Sequence, residues 1–241
     1  MGGLRSVVER IIKVAATEGR DWLLEPEAKE VCKAYGIPIP AFKVVGSEEE
    51  AVLIANQLKY PLVVKVVSPD VPHKSDVGGV VLNVTDQNVL RTAYRNVLQN
   101  VKRFKPKARV LGVLIEEQAP PSVEVIVGLT VDPQFGPAVM FGLGGVFVEV
   151  LKDVSFRIAP IEEDDAWEMV REVKGYPILD GYRGRPRLDV EAVVKMLVKV
   201  SDMAMENPEI QQLDLNPVLV YEKGALAVDA RIGLRHTHGD K

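Results

Sequence analysis

The chain has 241 residues, 47% hydrophobic and 27% charged, with a formal net charge of -4 and one cysteine, Cys32. That is an ordinary globular mixture, long enough for one large domain or two small lobes with a real core. The acidic balance argues against bulk attraction to nucleic acid, no apolar run reaches membrane-spanning length, and a lone cysteine cannot form an intrachain disulfide. A reducing, cytoplasmic setting is expected, because Ile11–Ala16 is too short and charge-interrupted to be an export signal.

In chain order, Ser6 to Glu18 reads as an amphipathic helix, and Pro26 starts a second that Gly36 ends. Ala28, Val31, Cys32 and Tyr35 follow helical spacing, which makes Cys32 a core thiol. Ile37 to Val45 is extended, and Ser47 with Glu50 forms a capping box for a helix to about Leu58. Leu62 to Val67 and Gly79 to Val84 are strands, and Thr85 caps a long helix through Val101. Phe104 to Ala108 reads as a lobe boundary. Strands follow at Val110 to Gln118, Ser122 to Val131 and Ala138 to Phe141. Gly142 to Gly145 breaks the last of these, Val146 to Leu151 resumes it, and Val154 to Ile158 adds another. Connections this short give antiparallel pairing. Helices are expected at Glu162 to Val173 and Asp189 to Asn207, then a hairpin of Gln211 to Val220 with Leu226 to Ala230. The division is 1–24, an N-terminal helical segment; 25–107, a first lobe; 108–235, a second lobe; and 236–241, a loose tail. This is an α+β architecture of two lobes around a cleft, and a single Rossmann domain fits it less well.

Lys65 stands in the middle of an apolar strand, where an unpaired ammonium is expensive. It must snorkel, pair with an acid, or point into a polar cleft and bind phosphate. The following loop, Ser68 to Gly79, carries His73, Lys74, Ser75, Gly78 and Gly79. Its backbone amides can cradle an anion, and a neutral imidazole is a nucleophile near neutral pH. The plainer reading is a loop histidine satisfied by Asp70 or Asp76. Glu116 and Glu117 are either a surface acidic pair or a hinge whose backbone reads an adenine edge. Glu124, among β-branched neighbours, can orient ribose, pair with a lysine or face solvent. Asp214 and Asn216 alternate with leucines on one strand face, Pro217 favours a sheet edge, and Asp229 follows on the next strand. Their oxygens suit magnesium, and equally the polar face of a half-solvated hairpin. Nothing supports zinc, and His236 with His238 makes only a weak metal claim.

From about Leu23 to Leu234 the chain resembles the ATP-grasp superfamily, and more closely the beta subunits of archaeal ADP-forming acetate–CoA ligases (acetyl-CoA synthetases). The resemblance rests on Glu25-Pro26-Glu27-Ala28-Lys29, Tyr35-Gly36-Ile37-Pro38, His73 to Val80, Glu124 to Gly128, Phe135-Gly136-Pro137, Phe141 to Gly145, Ser155-Phe156-Arg157, Asp214-Leu215-Asn216-Pro217 and Val228-Asp229-Ala230-Arg231, in order. It implies two ATP-grasp lobes clasping ADP or ATP. Lys65, with Lys74, Gly78 and Gly79 of the following loop, would serve phosphate, Glu116 and Glu117 the adenine hinge, and Glu124 the nucleotide. Asn216 and Asp229 would hold Mg2+. Gly144, Gly145 and Arg157 would be further phosphate contacts. His73 would carry a phosphoryl group from a CoA-binding alpha subunit to ADP, supported by Asp214, in an α2β2 assembly. The implied reaction is acyl-CoA + ADP + phosphate = carboxylic acid + ATP + CoA. Gln212 stands where relatives often have an acid. No CoA-binding lobe is recognisable, so the chain is expected to be one part of an enzyme. The rivals are another ATP-grasp carboxylate ligase working through an acyl phosphate, and a nucleotide-sensing partner without turnover.

Overall fold

The computed structural model describes residues 2–145 and 152–235, with only the backbone given for residues 2–5. Helices α1 (Gly2–Thr17) and α2 (Glu25–Ala34) lead the chain. The described residues then divide into two compact units, one of Leu24–Pro26 with Pro40–Pro120, the other of Met1–Leu23, Glu27–Ile39 and Pro121–Lys241. Glu25 and Pro26 therefore belong to a different unit from the rest of the helix they open.

The smaller unit is built from β1 (Phe42–Val45), α3 (Glu48–Ala55), β2 (Leu62–Val67), β3 (Val80–Val84), α4 (Gln87–Phe104) and β4 (Gly112–Glu117). The strands form an antiparallel sheet in the order β1-β4-β2-β3. All six residues of β2 are buried, which explains its unbroken apolar run apart from Lys65. Leu90, Tyr94 and Val97 of α4 pack on Leu62, Val64 and Ile115 of the sheet. A second cluster, Val66, Val71, Val77 and Val101, ties down both ends of the loop that carries His73.

Two expectations change here. Asp86, not Thr85, caps α4, its Oδ1 accepting hydrogen bonds from the amides of Asn88 at 2.8 Å and Val89 at 3.0 Å. A carboxylate also complements the helix N-terminus better than a hydroxyl. The unit boundary falls at Pro120 and Pro121 rather than at Phe104–Ala108, because β4 pairs with β1 and β2 and so completes this sheet.

The larger unit contains β5 (Val123–Asp132), β6 (Gly136–Leu143), β7 (Val154–Ile158), α5 (Glu163–Glu172), α6 (Tyr176–Leu179), α7 (Val190–Glu206), β8 (Ile210–Val220), β9 (Ala225–Ala227) and β10 (Arg231–Leu234). Its antiparallel sheet runs β10-β8-β5-β6-β7, with β9 also on β8. Met196 and Leu197 of α7 share its core with Phe141, Leu143 and Leu215. Strand β6 runs through Gly142, which pairs with both Ile126 and Val154, so the glycines end the strand later than expected. The expected strand at Val146 to Leu151 and the tail with His236 and His238 lie outside the described residues. Strand β8 is interior, between β5 and the pair β9 and β10, rather than an edge. Its pairing jumps from Val125–Val218 to Val127–Leu215, so Asn216 and Pro217 together oppose a single residue of β5. That bulge is where an interior strand tolerates a proline.

Cys32 is fully buried in this core, and burial pushes its thiol up to about 12. A protonated, inaccessible sulfur does not attack electrophiles. Iodoacetamide at neutral pH should leave Cys32 unmodified in the folded chain and alkylate it in denaturant, read by mass spectrometry.

Candidate functional site

The smaller unit places four charged side chains of the Lys65 neighbourhood together. Lys65 Nζ donates a hydrogen bond to Glu25 Oε1 at 2.7 Å. It also lies 2.7 Å from Glu116 Oε1. Lys74 Nζ is 3.0 Å from the other oxygen of Glu25. The last two are charge contacts without hydrogen-bond geometry. Glu116 is fully buried, and Glu25 and Lys65 are buried as well. Two ammonium groups and two carboxylates compensate one another, which is how a charged residue survives inside β2. The side chain of Glu116 thus partners Lys65, while the expected adenine hinge concerns its backbone. Glu117 is half-buried, and its Oε1 accepts the amide of Lys59 at 3.0 Å.

The His73 loop folds back as a short 3-10 turn over Ser75–Val77. Gly78 adopts φ +63 after it, a conformation that side chains rarely take. The Gly78 amide donates to Ser75 O at 3.1 Å and the Gly79 amide to Lys74 O at 2.7 Å. These amides, expected to cradle phosphate, are therefore engaged within the loop. Asn100 of α4 donates its side-chain amide to Gly78 O at 3.0 Å. Asp70 accepts the Arg109 amide at 2.7 Å. Between the buried Val71 and Val77, His73 itself is exposed. A rigidly footed loop thus presents an imidazole to solvent, next to a lysine held by Glu25.

In the larger unit, Val218 pairs with Ala227 and Asp214 with Arg231 in one continuous register, which brings Asp229 level with Asn216. Asp229 lies in the short segment joining β9 to β10 rather than within a strand. Asn216 is exposed and Asp229 half-buried. Level in register at a bulge, the two residues offer oxygens of the kind a magnesium ion takes alongside phosphate and water, and Asp229 Oδ1 accepts the Ala230 amide at 2.9 Å. Among the described residues no cluster of three or more His, Cys, Asp or Glu forms a metal cage. Asp214 sits across from Arg231; burial raises its carboxyl above the usual range, and the arginine works against that rise. Arg231 in turn stacks on Trp22, 5.1 Å from the ring centre. Gln212 is exposed, opposite Thr130 and Gly233.

Glu124 lines a cavity of about 530 Å³ with Gly144, Gly145, Tyr182, Arg183 and Arg185. The Gly144 amide donates to Glu124 O at 2.8 Å, and a Cβ on Gly144 would sit 3.0 Å from that same carbonyl oxygen. Glycine is required there by close backbone approach. Arg157, expected as a phosphate contact, holds its guanidinium 2.8 Å from Glu172 and 3.6 Å from Glu168.

An ATP-grasp domain family matches residues 14–234. The beta subunit of the ADP-forming acetate–CoA ligase I of Pyrococcus furiosus is 54% identical over 222 residues, 92% of this chain and 95% of that one. This chain belongs to the ATP-grasp family of ADP-forming acetate–CoA ligase beta subunits. The two antiparallel sheets and their helices are the two lobes of the ATP-grasp fold. The acetyl-coenzyme A synthetase 1 of Ca. Korarchaeum cryptofilum, solved with coenzyme A, Ca-AMPCP and HgCl+, is 51% identical with a TM-score of 0.92, over 94% of this chain and 99% of that one. The same synthetase solved with coenzyme A and Mg-AMPPCP, its phosphohistidine segment pointing towards the nucleotide binding site, gives a TM-score of 0.84 at 47% identity, over 95% of this chain and 100% of that one.

Sequence reasoning about this ligase beta subunit missed the roles of Glu25, Arg183 and Arg185. A buried Lys65 announces that an acid is needed, but nothing local says it comes from forty residues upstream. Arg183 holds a left-handed φ of 53, a backbone strain without a sequence signature.

The cluster predicts what removing its centre does. Lys65→Ala removes the cation 2.7 Å from the buried Glu116 and should destabilise the chain by about 3–5 kcal/mol in urea unfolding. Lys65→Met combined with Glu116→Leu should recover most of that loss, whereas two independent surface residues would simply add.

Proposed function

We propose that this chain is the nucleotide-handling subunit of an ADP-forming acyl-CoA ligase, and that His73 carries the phosphoryl group to ADP. The single observation that supports the relay is the exposed imidazole on a loop whose feet, Val71 and Val77, are buried, with Lys74 beside it. The family of the chain and a solved neighbour whose phosphohistidine segment points towards its nucleotide binding site support the same reading.

The overall reaction is acyl-CoA + ADP + phosphate = carboxylic acid + ATP + CoA. A CoA-binding alpha subunit, in an α2β2 assembly, would pass the phosphoryl group to a ring nitrogen of His73. An oxygen of the ADP β-phosphate then attacks phosphorus, the P–N bond breaks, and the ring nitrogen leaves with its electron pair. Lys65 and Lys74 would hold the nucleotide phosphates, and Asn216 and Asp229 the magnesium ion bound to them. That ion, when bound, would neutralise charge on the transferring group. Glu124 would contact the nucleotide with the backbone of Gly144 and Gly145. Asp214 would orient the phosphorylated imidazole. No described helix is long and apolar enough to cross a membrane, and we place the enzyme in the cytoplasm.

The test is His73→Ala assembled with an intact alpha subunit. Alpha should still become phosphorylated from acetyl-CoA and phosphate, while ATP formation from ADP falls at least about 10³-fold, a nucleophile-sized loss. ATP formed at the normal rate would show that His73 is not the carrier.

A further inference from the structure

Glu25 has no place in the relay just described, yet both of its carboxylate oxygens are committed to it. One holds Lys65 at 2.7 Å and the other holds Lys74 at 3.0 Å. Lys65 belongs to the rigid sheet, while Lys74 adjoins His73 and opens the turn that closes the loop. The carboxylate is therefore a bridge from the sheet to the loop, and it is buried, where screening by water and salt is weak. Lys65 has Glu116 as a further acid at 2.7 Å, so it stays compensated without Glu25. Lys74 makes its ion pair with Glu25.

We infer that Glu25 is a positioning residue that docks the His73 loop through Lys74 and lets it go when nucleotide phosphate takes over the two lysines. This rests on the nucleotide reading of Lys65 and Lys74 proposed above. The physical basis is competition between anions for the same cations. One carboxylate carries a single negative charge, whereas the ADP diphosphate carries more charge and more acceptor oxygens. Without nucleotide, docking holds His73 in one orientation and gives the half-buried Lys74 a compensating acid. With nucleotide, Lys74 exchanges Glu25 for phosphate, and Asn100 on Gly78, together with the Val71 and Val77 feet, remains as the weaker restraint. Loop release would thereby be tied to the presence of the phosphoryl acceptor.

Hydrogen exchange of the whole chain, without nucleotide or partner, tests the docking. The amides of Val77, Gly78 and Gly79, each bonded within the turn, report it. Glu25→Gln keeps the shape and removes the charge, and should quicken their exchange about tenfold, the scale of one partly buried charge contact. Lys74→Met, which leaves the Glu25–Lys65 pair intact, should do the same, and covers the case in which Glu25→Gln fails to fold. Unchanged exchange in the folded variants overturns the docking role. Calorimetry then tests the exchange of partners. Glu25→Gln removes a competing anion and should bind Mg–ADP several-fold more tightly, with a lower KM and a lower kcat for ATP formation in the assembled enzyme. A residue that only supports the fold would weaken binding instead, and weaker binding by a folded Glu25→Gln overturns the release. If the unaltered chain fails to bind Mg–ADP, the nucleotide reading falls and takes the release with it, while the exchange result still decides the docking.

Discussion

A lysine in the middle of a fully buried strand is the constraint around which the smaller unit is organised. Desolvating an ammonium costs several kcal/mol unless acids meet it. Glu116 comes from the adjacent strand β4, and Glu25 from the first turn of α2, in the three-residue segment that alone of that region belongs to this unit. The chain thus routes Leu24 to Pro26 into a unit that the rest of its helix does not join. A neutral side chain at position 65 would pack more cheaply. The charge is retained at a cost to stability, and the phosphate role proposed for Lys65 would give that retention a purpose.

The larger unit solves a different problem. Its interior strand β8 must deliver polar side chains to the sheet surface while its leucines fill the core. Alternation does most of this, placing Leu213 and Leu215 inward and Asp214 and Asn216 outward. The bulge at Asn216–Pro217 lets the strand stay paired on both sides despite a residue that lacks an amide hydrogen. Asp229 arrives opposite Asn216 by register alone, from a segment with no strand assignment of its own. Backbone pairing thus sets Asn216 and Asp229, the proposed magnesium ligands, level with one another, and Asp229 Oδ1 also accepts the Ala230 amide at 2.9 Å.

Much of this was legible in the residues. Strands Leu62–Val67 and Val154–Ile158 fall where β-branched runs place them, and the antiparallel character of the second sheet follows from its short connections. What failed were decisions made between near neighbours or over long range. Thr85 and Asp86 are both good caps, and only geometry chooses between them. Phe104–Ala108 and Ala119–Pro121 both look like linkers, and only the pairing of β4 with β1 and β2 shows which one separates the units. Pro217 reads as an edge residue because a bulge in the facing register leaves no local mark. The need of Lys65 for an acid was readable, and its two carboxylate partners were not, since they lie 40 and 51 positions away along the chain.

Whether the two lysines are shared between carboxylate and phosphate can be watched directly at their nitrogens. Nitrogen-15 spectra of the Lys65 and Lys74 ammonium groups, assigned with single Lys→Met variants, would be followed during titration with Mg–ADP and, separately, with Mg2+ alone. Both signals should move together and saturate with ADP, with the Glu25 carboxyl carbon moving in step, while Mg2+ alone leaves all three in place. Saturable ADP binding that leaves both lysine signals unmoved would contradict a phosphate role for the buried cluster.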